Sequence, residues 1–164
     1  MLRIPRQTSL ILSMTMVAFF GAAASGFACI LPYVVNRTLE LLPEVNISYE
    51  LTDGQRVLLI VLVYLMLALA LTADGLLFAM LMRIRKGAVF TARTVALIRG
   101  VSWCCMLFAA VTFVTGWLYS PILLGGYIFA GVTMNALMAG LCLRVVKNVI
   151  EEATAIKSEN DLTE

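Results

Sequence analysis

A chain of 164 residues without a single histidine has few ways to do chemistry. Histidine is the usual acid–base group near neutral pH and the commonest metal ligand. Four cysteines remain, Cys29, Cys104, Cys105 and Cys142. None is spaced as Cys-x-x-Cys, and without histidine they do not read as a zinc set. They read as small apolar residues that pack well. The methionines are scattered over the apolar segments rather than clustered, which argues against a metal-trafficking surface. No nucleophile–base pair and no phosphate-binding loop is visible. The expectation is a non-enzymatic protein with no cofactor and no metal.

The residue that demands an explanation is Asp74, the one charge within the apolar run 57–82. Inserting an aspartate near the centre of a membrane helix costs about 2.5–3.5 kcal/mol. Such a group is expected to face other helices and to find a polar partner there. Asn135, at a similar depth in the fourth apolar segment, is the obvious candidate, and Arg99 is the second. An Asp74–Asn135 pair has two uses. It could serve proton- or cation-coupled transport, as in a small transporter or an immunity-type efflux protein. It could also be polar glue between helices, worth about 1 kcal/mol.

The elements that must position these residues follow from composition. Hydrophobic residues make up 62% of the chain and charged residues 13%, about half the usual charged share of about 25%. A soluble domain of this size has too little interior for that much apolar surface. The chain therefore reads as a membrane protein with spans near 10–35, 57–82, 100–118 and 122–143. The last two come from one uncharged run, 100–143, which as a single helix would measure about 66 Å, twice the hydrocarbon thickness. Tyr119-Ser120-Pro121 supplies the break. Within the first span Gly26-Phe27-Ala28 precedes Cys29, a small-x-small pattern of the kind found at signal cleavage sites, but the length of the apolar stretch favours an uncleaved anchor.

Charge placement predicts the orientation. The N-terminal tail has two basic residues, the link 83–99 has five, and the C-terminal tail has three. With four spans these segments share one side, which then holds ten of the twelve basic residues. The positive-inside rule makes that side cytoplasmic, with both termini there. Tyr33, Trp117 and Tyr119 then belong to the outer aromatic belt, and Trp103 to the inner one.

Packing surfaces and caps are also readable. The first span offers Ala18, Gly21, Ala22, Ser25 and Ala28 on one face. The fourth offers Gly126, Ala130 and Thr133, then Ala136, Ala139 and Gly140. Such small-residue faces permit close backbone approach, within the chain or in a homo-oligomer. Thr52 with Gln55 fits a capping box for the second helix, and Thr91 an N-cap for the third, after Gly87. The fourth helix is expected to continue beyond the bilayer as an amphipathic cytoplasmic extension. Val146, Val149, Ile150, Ala153 and Ile156 would form its apolar side, and Lys147, Glu151, Glu152 and Lys157 its polar side.

Two segments carry a family resemblance. One is Arg83-Ile84-Arg85-Lys86-Gly87-Ala88-Val89-Phe90-Thr91 followed by Leu97-Ile98-Arg99, and the other is Glu159-Asn160-Asp161-Leu162-Thr163. Their order resembles the YoaS-like small bacterial inner-membrane proteins, a family of unknown function with four helices, a Gly-x-x-Phe link and an Asp-Leu-Thr ending. Glu164 departs from that pattern, and Thr91-Ala92-Arg93 lacks the Asn often found after the Phe. The resemblance implies a bacterial inner-membrane protein that binds or restrains a small cytoplasmic helix-turn-helix regulator. The chain has no DNA-reading element of its own and no direct nucleic-acid contact is expected. The interaction candidates are Arg85, Lys86, Phe90 and Arg93 in the link, and Glu152, Glu159, Asp161 and Leu162 in the tail.

Overall fold

The computed structural model describes residues 6–41, 52–87, 91–119 and 125–160. Four helices account for nearly all of them: α1 (Arg6–Leu41), α2 (Asp53–Arg85), α3 (Ala92–Leu118) and α4 (Gly125–Asn160). No strand occurs among the described residues. Each helix is long and apolar enough to cross a membrane. The chain is an all-α four-helix bundle of the multi-pass membrane type.

The sequence signals at the helix ends are realised in the backbone. The Gln55 side chain reaches back to accept the Thr52 N–H at 3.0 Å, as a capping box requires. The Thr91 hydroxyl accepts the Thr94 N–H at 3.3 Å at the start of α3. Gly87 ends α2 with φ of 81°, the left-handed conformation that a side chain disfavours. Its N–H reaches the Ile84 carbonyl at 3.1 Å. α3 stops at Leu118, where the Tyr119 N–H bonds the Thr115 carbonyl at 3.0 Å. Ser120 and Pro121 lie outside the described residues.

Among the described residues, each helix makes close backbone contact with its chain neighbours and with no other: α1 with α2, α2 with α3, α3 with α4. α2 and α3 therefore each lie between two neighbours, and most of the buried residues belong to α3. Thr94, Val95, Ile98, Val101, Ser102, Ala109, Thr112, Thr115 and Gly116 are all buried. Helices in lipid gain little from apolar burial, so contact depends on close packing and polar bonds. Both are present along α3. Tyr119 Oη donates to the Gln55 carbonyl of α2 at 2.7 Å, and Ser102 Oγ to the Gly140 carbonyl of α4 at 2.8 Å. Tyr119 is thus 3% exposed and packs inside instead of joining an aromatic belt. Tyr33 and Trp117 remain outside, 73% and 77% exposed.

The contacting faces follow a stricter period than the small-residue patterns suggest. On α4 the covered positions run Phe129, Thr133, Ala136, Gly140, Leu143, Lys147, Ile150 and Thr154. On α1 they run Leu10, Met14, Val17, Gly21, Ala24, Ala28, Leu31 and Val35. Alternating steps of three and four make a 3.5-residue repeat, the geometry of left-handed crossings near 20°. Ala18, Ala22, Ser25, Ala130 and Ala139 fall off these seams and are exposed. The C-terminal extension is helical, but its apolar side differs from the expected one. Ile150 and Ala153 are partly covered, whereas Val146, Val149 and Ile156 are exposed and Lys147 is on the seam. Packing against α3 sets the contact face there, and local hydrophobicity does not.

Candidate functional site

Asp74 is partly buried on α2 and faces α1. Its Oδ2 lies 2.6 Å from where a Cβ on Gly21 would stand, so the missing side chain at Gly21 makes room for the carboxyl. Among the described residues Asp74 takes no hydrogen bond and no ion pair. Asn135 is exposed on α4, and its Nδ2 donates to the Gly131 carbonyl of its own helix at 2.8 Å. The two residues are not brought together. α3 stands between α2 and α4, which make no close backbone contact with each other among the described residues. Arg99, the other candidate partner, is paired with Glu151 instead, at 3.7 Å.

The other cluster lies at the end of the bundle where α2 stops, α3 starts and α4 runs on. Arg85, Lys86 and Arg93 are exposed there and form no ion pair among the described residues. Glu152 is also exposed. Phe90, Asp161 and Leu162, and the side chain of Glu159, lie outside the described residues. Between Arg85 and the start of α1 a cavity of about 430 Å³ opens, lined by Gln7, Leu10, Ile11, Ile84, Arg85 and Gly87.

Arg99, Lys147 and Glu151 tie α3 to α4 at this end. Lys147 Nζ contacts the Glu151 carboxylate one turn on, and donates to Asn148 Oδ1 at 3.1 Å. Glu151 Oε1 also reaches Arg99 on α3 at 3.7 Å. The hydrogen bond from Lys147 outweighs a small burial effect and, with the charges of Lys147 and Arg99, holds the Glu151 carboxyl below its ordinary range. A second cavity of about 380 Å³, lined by Ala92, Val95, Ala96, Arg99, Glu151, Thr154 and Ala155, lies alongside this contact. The acidic side of the extension and the basic link 83–99 are complementary in charge, and Arg99–Glu151 is the pair that joins them. The four-residue spacing of Lys147 and Glu151 is the signal for the pair within α4.

The cysteines are free, with Cys104 and Cys105 partly buried and Cys29 and Cys142 exposed. Among the described residues no three His, Cys, Asp or Glu side chains gather to hold a metal. Comparison with family models finds one described as a protein of unknown function (DUF2975), matching residues 40–163. No curated protein and no solved structure matches.

Proposed function

Since the chain belongs to the DUF2975 family of unknown function, its role has to come from its own geometry, and we propose a non-enzymatic regulatory or sensory membrane protein. In this reading the basic end faces the cytoplasm of a bacterium and meets a protein there, such as a small helix-turn-helix regulator. The YoaS-like resemblance suggests that class of partner. The observation that carries the reading is the length and anchoring of α4. Its 36 residues span about 54 Å, far more than the roughly 30 Å of hydrocarbon. The first charge on it is Arg144. The remaining four turns project past the apolar layer as continuous helix, fixed to the start of α3 through Arg99–Glu151. A rigid, charged projection beside the basic residues Arg85, Lys86 and Arg93 suits recognition of a protein surface.

The test is affinity capture with the full chain and with a chain ending after Asn148. Loss of the captured regulator on truncation, with membrane insertion unchanged, is the expected result. Failure of the full chain to hold any cytoplasmic protein sinks the reading.

One observation favours a second reading, a small proton-coupled transporter or efflux protein. Asp74 lies within an apolar helix without a hydrogen-bonding partner among the described residues. An acid left so is a functional hypothesis in a membrane span. Proton-dependent transport in vesicles by the wild type, abolished in Asp74→Asn, would favour it. Equal activity of the two forms would eliminate a titrating role.

A further inference from the structure

Where α3 and α4 leave the apolar layer they enclose a basic cavity that neither reading uses. Arg144 is the first charge after the uncharged run 100–143, and Trp103 lies in the first turn of that run on α3. The Arg144 guanidinium carbon stands 5.1 Å from the centre of the Trp103 ring, a cation–π contact. Around them a cavity of about 330 Å³ is lined by Arg99, Ser102, Trp103, Arg144, Lys147 and Asn148. The Ser102 hydroxyl is committed to the Gly140 carbonyl, and the Asn148 side-chain carbonyl to Lys147. The lining therefore presents three cations and no acid. Glu151 reaches Lys147 and, at 3.7 Å, Arg99, but among the described residues Arg144 has no ion pair.

Surplus cations in a ligand-sized cavity call for an anion with several acceptor oxygens, which is the chemistry of phosphate. The depth and the walls select a lipid phosphate over a free one. The cavity opens at the boundary of the apolar run, where headgroups lie, and basic pockets between membrane helices hold anionic headgroups. Towards the membrane the same faces continue as apolar, outward-facing side chains. Leu107 follows Trp103 by one turn and is 50% exposed, and Leu141 precedes Arg144 and is 44% exposed. These would carry acyl chains. We propose that this cavity binds an anionic phospholipid, with Arg144 and Lys147 holding the phosphate and Trp103 at the level of the glycerol. Glu151 competes with that phosphate for Lys147 and Arg99. The proposal rests only on the chain spanning a membrane and is independent of any protein partner.

The chain has two tryptophans, so Trp117→Phe leaves Trp103 as the only one. The full chain with this change is placed in phosphatidylcholine nanodiscs containing increasing brominated phosphatidylglycerol, whose bromine quenches nearby indole. Brominated phosphatidylcholine serves as the neutral reference. Quenching by the anionic lipid is expected at about fivefold lower mole fraction than by the neutral one, the worth of about one headgroup-level cation. Adding Arg144→Gln with Lys147→Gln should remove the preference while circular dichroism keeps its helical signal. Adding Glu151→Gln should strengthen it. Equal quenching by the two lipids overturns the proposal, as does a preference that survives the double change. Relief of quenching by inorganic phosphate would assign the site to the free anion and overturn it too. If the double variant loses its helical signal, Glu151→Gln decides: a stronger preference supports the lipid site, and an unchanged or weaker one overturns it.

Discussion

Pro32 lies inside α1, and its ring leaves the Ala28 carbonyl without the usual N–H four residues on. In lipid such a carbonyl needs another donor. Tyr64 of α2 supplies it, its Oη donating to the Ala28 oxygen at 3.1 Å. A helix imperfection thereby becomes an interhelical bond. Tyr64→Phe should weaken the α1–α2 contact by about 1 kcal/mol, measured by reversible unfolding in mixed micelles. In a Pro32→Ala background the same change should be nearly silent, because the backbone N–H restored at that position would take the carbonyl. A full cost in both backgrounds would refute the link. Gly87 makes a second residue-scale case. With φ at 81°, Gly87→Ala should destabilise the α2–α3 turn by about 1 kcal/mol, while an alanine at the exposed Gly26 of α1, where a Cβ meets open space, serves as the helical control.

At the scale of elements, α4 shows what a sequence can and cannot disclose. Its existence, its start after Tyr119 and its length beyond what a span needs all follow from apolar length and charge placement. Which side of it touches α3 does not, because small-residue spacing fits several faces and only the partner's shape selects one. Asp74 illustrates the same limit: its isolation in an apolar helix is legible, its neighbour Gly21 is not, since helix order in space is not written in any single helix. The α3–α4 seam can be tested at Gly140, where an added Cβ would meet Met106 Cγ at 3.1 Å and the Ser102 carbonyl at 3.3 Å. Gly140→Leu should cost about 1–3 kcal/mol by forcing the helices apart, against about 0.6–1.7 kcal/mol for Ser102→Ala, which removes one bond. Past Arg144 the contact depends on pH. The Glu151 carboxyl is held below its ordinary range by Lys147, so its contribution is full above that range and fades as pH falls through the lowered value. Hydrogen exchange over the end of α4 should therefore differ between wild type and Glu151→Gln at neutral pH. The difference should vanish well below the ordinary glutamate value of about 4.3.

At the scale of the molecule, two asymmetries coincide. The helices pack in chain order, and ten of the twelve basic residues belong by sequence to the N-terminal tail, the link 83–99 and the stretch after 143. The segment 36–56, with Arg37 and Arg56 against Glu40, Glu44, Glu50 and Asp53, is acidic in sequence. Basic residues close to span ends are retained in the cytoplasm, and acids contribute little to that choice. The bias here is ten against two, so even the loss of Arg85, Lys86 and Arg93 would leave seven against two and should not invert the chain. The orientation is therefore a property of the whole charge pattern and not of the link. In bacterial cells, with the four native cysteines replaced by alanine, Asn46→Cys should react with a membrane-impermeant maleimide. Lys157→Cys should react only after the membrane is opened. Adding Arg85→Gln, Lys86→Gln and Arg93→Gln should leave both results unchanged. Labelling at position 157 in intact cells would reverse the orientation, and with it the side on which any partner of the basic end could be met.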